Sequence, residues 1–256
     1  MSSPFRRGAL LAALSLCLAL AACGGGTSNQ YSGSTLDGQV LMDSGAAVSG
    51  SANVCLYAVA NGLGNPLNTS VTPAVGTGTL LTSGCISTDG NGRFVQALPN
   101  FYGPVLVQII GGSYTNYASK AAASLTNLST TNASLQALAF SGGGGTVNVV
   151  VSPLTTIATA IAQNLPGGLS QANYATAVAR VQSEFQLPAT SVTSAPAAGD
   201  AQDLVLRGVE YYLANLGTAD PNAINLLTWT NPSTLSANFT TAYDTVNSST
   251  TQFTFQ

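Results

Sequence analysis

Two carboxylates on one predicted helix, Asp203 and Glu210, have the most suggestive spacing for chemistry in this chain. Glycosidases cleave sugars with a pair of carboxylates, so a catalytic pair has to be weighed here. Arg207 lies four residues after Asp203 and three before Glu210, the separations at which helical side chains meet. We therefore expect an ion-pair ladder on the helix surface, of small energetic effect, rather than a catalytic pair.

Nucleophilic catalysis has little support in the composition. The chain contains no histidine, which excludes Ser/His/Asp triads and Cys/His pairs. Its only lysine, Lys120, directly follows Ser119, whereas the Ser–Lys motif needs a serine three residues earlier, where Tyr117 stands. We expect no catalytic residue, no enzymatic activity and no cofactor.

Metal binding is not expected either. Cys55 and Cys85 lie thirty residues apart, and in a chain without histidine they do not form a zinc-binding pattern. Asp89–Gly92, with the sequence Asp-Gly-Asn-Gly, begins like a calcium loop but lacks the later ligands and the closing glutamate. This segment predicts a tight turn.

An apolar segment near the N-terminus indicates export. Arg6 and Arg7 precede an uncharged run over residues 9–22, which is too short to span a membrane comfortably and is typical of a secretory signal peptide. The run ends in Leu20-Ala21-Ala22-Cys23, which resembles the lipobox of bacterial lipoproteins. That resemblance implies that Cys23 is acylated and becomes the first residue of the mature chain. In Gram-negative members of that family an aspartate after the cysteine often marks inner-membrane retention, so the resemblance, with Gly24 in that place, implies the outer membrane.

Charged residues make up only 6% of the chain, against roughly a quarter in typical proteins. Without residues 1–22, four basic and nine acidic residues remain, giving a net charge of −5. Because no basic patch can neutralise phosphates, nucleic-acid binding is not expected. The chain is 45% hydrophobic with clear periodicity, which predicts folded structure rather than disorder.

The cysteines divide by position. Cys17 would be lost with the signal peptide and Cys23 would carry the lipid, which leaves Cys55 and Cys85 as an even pair in an oxidising compartment. We expect a disulfide between them, with two separate buried thiols as the alternative. Such a bridge would add about 3–4 kcal/mol on the chain-entropy account.

Residues 35–151 have the patterning of β-structure. Seven short apolar or alternating segments are separated by turn signals, of which Asp89–Gly92 and Gly142–Gly145 are the clearest. We expect residues 93–98 to return from the first turn as the hairpin partner of residues 79–88. The whole set predicts a β-sandwich.

Three motifs in this region are similar to those of carboxypeptidase regulatory-like domains. They are Leu36-Asp-Gly-Gln-Val, Ala46-Ala-Val-Ser-Gly-Ser-Ala-Asn-Val and Ser87-Thr-Asp-Gly-Asn-Gly-Arg-Phe. The resemblance covers residues 35–151 and implies a prealbumin-like sandwich, which also resembles the B-type modules of collagen adhesins. In those families the module is a non-catalytic stalk, spacer or binding unit. The long segment 61–78 and the cysteine pair depart from the family pattern.

From residue 152 the apolar period lengthens to that of helices. The expected helix starts are Ser152-Pro153, Ser170, Asp200, Asp220-Pro221 and Asn231-Pro232. Residues 252–256 alternate like a short terminal strand. Because Val151 runs into Ser152 without a flexible linker, the first helix should dock on the β-region at once.

These patterns together predict an α+β protein. The expected organisation is a signal peptide at 1–22, a flexible tether at 23–34, a prealbumin-like β-sandwich of about seven strands at 35–151 and a small all-α domain at 152–256. The lipid on Cys23 would hold the protein in the membrane, at the outer membrane or cell surface.

The expected function is a binding, scaffolding or structural role in the cell envelope, without catalysis, and the expected partner is an envelope protein or a glycan. One alternative is a glycan- or matrix-binding adhesin, which exposed tyrosines among residues 57, 102, 114 and 117 would favour. The other is a carbohydrate- or peptide-active enzyme, which two close carboxylates in a cleft would favour.

Overall fold

The computed structural model describes residues 33–50, 52–59, 67–68, 75–76, 79–125, 134–142, 144–216, 236–248 and 253–255. The predicted signal peptide, Cys23 and nearly all of the tether lie outside these ranges, as do the helix starts at Asp220 and Asn231. The strands are β1 (Thr35–Val40), β2 (Asn53–Ala58), β3 (Leu67–Asn68), β4 (Val75–Gly76), β5 (Ile86–Ser87), β6 (Arg93–Ala97), β7 (Gly103–Ile110), β8 (Ser113–Thr115), β9 (Ala122–Ser124), β10 (Ser134–Ser141) and β11 (Thr146–Val151). The helices are α1 (Pro153–Asn164), α2 (Gln171–Glu184), α3 (Ala201–Tyr211) and α4 (Ser236–Asn247), with a 3₁₀ turn at Ser191–Thr193 and a π-helical turn at Tyr212–Leu216.

Two larger sheets organise the β-region. One has the order β11-β1-β6, with β1 parallel to β11 and antiparallel to β6. The other is antiparallel, with the order β10-β7-β2-β5. Leu36 and Phe94 of the first sheet share one apolar core with Leu56 and Val107 of the second. Strands and helices together place the fold in the α+β class, and the prealbumin-like arrangement stays a prediction.

The turn at Asp89–Gly92 forms, but the predicted hairpin around it is wrong. Oδ1 of Asp89 accepts hydrogen bonds from the backbone amides of Asn91 and Arg93, both at 2.8 Å. However, β5 before the turn pairs with β2, and β6 after it pairs with β1. The turn therefore carries the chain between the two sheets. A disulfide also fastens Cys85, just before β5, to Cys55 on β2.

This disulfide confirms the expected pairing of Cys55 with Cys85. The two Cα atoms are 4.4 Å apart, at the short end of the usual range for bridged cysteines. Cys55 is buried in the core while Cys85 is exposed. The bridge thus ties a short edge strand to the interior of the second sheet.

Helix α1 packs on strand β10, as the linker-free junction predicts. Ser152 caps the helix: its Oγ accepts a hydrogen bond from the Thr155 amide, and its own amide donates to Oγ1 of Thr155. Oγ1 of Thr155 also donates to the Gln136 carbonyl at 2.9 Å, and the Gln136 amide donates to Oγ1 of Thr156 at 2.8 Å. Two threonines therefore join the helix to the sheet by hydrogen bonds that no water competes for, since all these groups are buried.

The C-terminal helices close over an aromatic cluster. Helix α4 approaches α3 at Gly208, where an added Cβ would lie 3.3 Å from atoms of Phe239 and Tyr243. Phe239 packs on Phe185 with ring centroids 5.5 Å apart, and Phe253 packs on Phe239 at 5.1 Å. Residues 253–255 are not in a strand, so the predicted terminal strand is wrong over these residues: Phe253 is drawn into the cluster instead.

Within the described ranges, no helix has both the length and the apolar character needed to cross a membrane.

Candidate functional site

A cluster of charged side chains lies where helix α3 meets two loops of the β-region. One loop, residues 41–46, follows β1, and the other, residues 116–121, connects β8 to β9. The N-cap Asp200 fixes the start of α3 by accepting a hydrogen bond from the Asp203 amide at 2.7 Å. The helix then carries Asp203, Arg207 and Glu210 at the separations that place them together. We call this set, with Asp43 and Lys120 from the loops, the junction cluster.

The predicted surface ladder of Asp203, Arg207 and Glu210 is wrong, because its carboxylates are buried. Asp203 is 0% exposed and Glu210 is 1% exposed. Asp203 does form the expected ion pair with Arg207. In addition, its Oδ1 accepts a hydrogen bond from the Ser44 amide at 2.9 Å, and its Oδ2 accepts one from the Gly199 amide at 2.7 Å. Asp203 thereby fastens the loop after β1 to the start of α3.

Glu210 joins α3 to the other loop and meets a second carboxyl group. It accepts the backbone N–H of Tyr117 at 3.1 Å, and Asp43, only 2% exposed, lies beside it. Burial, and then the negative charge of Asp43, raise the pKa of Glu210 to about 8. Glu210 therefore keeps its proton at neutral pH, and its hydroxyl donates a hydrogen bond to Asp43. Oδ1 of Asp43 also accepts a hydrogen bond from the Gly45 amide at 2.6 Å.

Two cations cover the ring of Tyr117. Nζ of Lys120 is 3.7 Å from the ring centroid and Cζ of Arg207 is 3.8 Å from it. The loop is tightened by Asn116, whose Oδ1 accepts hydrogen bonds from the amide and the hydroxyl of Ser119. Lys120 adopts a left-handed backbone conformation, with φ of 56°, which completes the turn. Ser119, weighed above as a partner of Lys120 in catalysis, thus directs its hydroxyl to Asn116.

A cavity of about 280 Å³ adjoins the junction cluster. We call it the charged cavity, because Asp43, Lys120 and Arg207 all line it. Its walls therefore carry one carboxyl group and two cationic groups.

A second, larger cavity of about 500 Å³ also borders the β8–β9 hairpin, and we call it the tyrosine groove. Its polar lining is uncharged and consists of Tyr114, Asn116, Ser119, Ser124, Tyr211 and Asn215. Burial, and less strongly the charge of Glu210, raise the pKa of Tyr114, so its hydroxyl stays neutral. Asn215 lies in the π-helical turn, a feature often found at functional sites, and donates Nδ2 to the Tyr211 carbonyl at 3.0 Å.

The four tyrosines that could have formed an exposed cluster do not form one. Tyr102 is 58% exposed, Tyr117 is half-buried, and Tyr57 and Tyr114 are buried. By contrast, two close carboxylates do occur, but as Asp43 with Glu210 rather than Asp203 with Glu210. The pair was missed because Asp43 lies 167 residues from Glu210 in sequence. The one available signal was a single carboxylate directly after the apolar run of Val40, Leu41 and Met42.

Comparisons with models of protein families, with curated proteins and with solved structures found no significant match for this chain.

Proposed function

We propose that this protein is a lipid-anchored binding protein of the bacterial cell envelope and that it acts without catalysis. The lipobox-like ending at Cys23 supports the anchor, and the uncharged composition supports an exported location. The resemblance of residues 35–151 to carboxypeptidase regulatory-like modules supports a binding role. Asp203 and Glu210 of the junction cluster accept hydrogen bonds from backbone amides of neighbouring loops. These contacts support a structural role for the two side chains.

The tyrosine groove is the observation that carries the binding role. Its volume of about 500 Å³ falls within the range of small-molecule sites, roughly 300–1,000 Å³. Tyr211 supplies a half-buried ring with a polar tip, and Asn116, Ser119 and Asn215 add amide and hydroxyl groups. Such a lining suits a ligand that is polar, rich in hydroxyls and uncharged. We therefore assign a glycan of the envelope as the ligand class.

Calorimetric titration of the full chain with neutral envelope oligosaccharides tests this assignment. Tyr211→Ala should weaken binding at least tenfold, because Tyr211 is a half-buried ring in the wall of the groove. The matched control is Tyr102→Ala, which removes an exposed tyrosine outside the groove and should leave affinity unchanged. Equal losses in both variants, or no saturable binding by the parent protein, would contradict the proposal.

A second candidate function has one specific observation in its favour. A protonated Glu210 beside Asp43 resembles the arrangement in which one acid donates a proton while the other stays ionised. An enzyme acting on carbohydrate or peptide would use such a pair. Incubation with envelope oligosaccharides and peptides, followed by mass spectrometry, would favour this function only if the parent chain releases products that Asp43→Asn does not.

A further inference from the structure

The residues that follow the predicted tether are fastened beside an aromatic pair. Gly33 donates its backbone N–H to the Pro99 carbonyl at 3.0 Å, and the Gly142 amide donates to Oγ of Ser34 at 3.2 Å. Ser34 is only 1% exposed, so the chain is fixed at the point where it leaves toward Cys23. We call this end of the β-region the exit face, and it consists of residues 33–34, 99–102 and 140–142.

The exit face is aromatic, exposed and uncharged. Tyr102 is 58% exposed, and its ring packs edge-on against the half-buried Phe140, with ring centroids 5.8 Å apart. Residues 94–119 and 121–179 contain no charged side chain, so the loops of this face carry none. A tyrosine, with an apolar ring and a polar tip, is a side chain that membrane–water interfaces favour.

The predicted tether keeps this face within reach of a membrane. Residues 23–34 are rich in glycine and serine, and a flexible chain of this length has a root-mean-square reach of roughly 20 Å. A surface held so close to a bilayer acts at an effective concentration on the order of millimolar, so a few apolar contacts suffice. Because the face carries no charge, none has to be desolvated when it meets the lipids.

We propose that the exit face is a membrane-contact surface, on which Tyr102, backed by Phe140, lies among the lipid headgroups. This inference rests on the proposed anchor at Cys23. It also orients the protein, because β7 runs from Gly103 at the exit face to Ile110 near the β8–β9 hairpin, about 25 Å away at the usual rise of a strand. The tyrosine groove, which borders that hairpin, would lie on the side away from the bilayer.

Spin labelling of the anchored full chain in phosphatidylcholine vesicles tests this contact. Asn100→Cys places a label beside Tyr102, and Gly90→Cys places one at the opposite end of β6, where an added side chain meets open space. In the acylated mature chain each new cysteine is the free thiol, because Cys55 is bonded to Cys85. A water-soluble nickel chelate should relax the label at 100 at least threefold less than the label at 90. Equal access to both labels, in chains that float with the vesicles, would overturn the proposal.

Two further variants, made with the label at 100, assign the contact to Tyr102. Tyr102→Ser should raise nickel access at least twofold, whereas Val95→Thr, which changes another exposed apolar side chain in the middle of β6, should leave it unchanged. Equal effects of the two variants would overturn the assignment, and so would spin–spin broadening, which would show a second copy on this face. Chains that do not float would contradict the anchor and this inference with it, whereas floating chains with an unprotected label contradict this inference alone.

Discussion

Glu210→Gln should remove most of the dependence of folding stability on pH between about pH 5 and pH 9. In the native protein, burial and the charge of Asp43 raise the pKa of Glu210 from 4.5 to about 8. Between these two values the folded state binds a proton that the unfolded state has released, so stability falls as pH rises through this window. The chain has no histidine to titrate over the same range.

The size of the effect follows from the pKa change. Each unit corresponds to about 1.4 kcal/mol, so a shift of this size predicts a loss on the order of 2–5 kcal/mol between pH 5 and pH 9. Glutamine keeps both hydrogen bonds of the protonated acid, because its carbonyl can accept the Tyr117 amide and its NH₂ can donate to Asp43. The variant should therefore match the parent near pH 5 and exceed its stability near pH 9.

Urea unfolding followed by far-ultraviolet circular dichroism at about pH 5, 7 and 9 measures this difference. Glu184→Gln is the matched control, since it removes a glutamate that pairs with Arg180 on a helix and should retain the slope of the parent. A parent protein whose stability is flat or rises over this range would show that folding does not raise the pKa of Glu210. So would a Glu210→Gln variant that keeps the full pH dependence.

Three further perturbations test the covalent and packing features. Cys55→Ser should lower the free energy of unfolding by about 3–4 kcal/mol, because the bridge closes a loop across a separation of 30 residues; a non-reducing denaturation curve compared with a reduced one checks it. Gly38→Ala should lower the free energy of unfolding by about 1–3 kcal/mol, because the added methyl would overlap the Phe94 ring across the β1–β6 pair. Gly90→Ala, with open space around the added methyl, should leave the free energy of unfolding nearly unchanged. Cys23→Ala should abolish incorporation of labelled palmitate and leave an unprocessed precursor, and continued labelling would exclude Cys23 as the acylated residue.

Local patterns predicted the elements well. The sequence predicts helix caps at Ser152, Ser170 and Asp200. Each of these side chains accepts a hydrogen bond from the backbone amide three residues later. These predictions succeed because capping depends on residues close in sequence. The hairpin at Asp89–Gly92 failed for the opposite reason. The turn is local, but the choice of partner for β6 depends on β1, more than fifty residues away.

The candidate site was predicted less well, because its chemistry depends on burial. Asp203, Arg207 and Glu210 have the spacing of a solvated ladder, and nothing local shows that two loops of the β-region cover them. Asp43 becomes a partner of Glu210 only through the docking of α3 on those loops. The raised pKa of Glu210 and the charged cavity are consequences of that tertiary contact.

The most direct test of the account is amide chemical-shift mapping of the full chain during titration with neutral envelope oligosaccharides. We predict saturable shifts concentrated in residues 114–124 and 211–215, which frame the tyrosine groove. Tyr211→Ala should remove these shifts while Tyr102→Ala preserves them. An absence of saturable shifts, or shifts confined to another part of the β-region, would contradict a glycan-binding role for this groove.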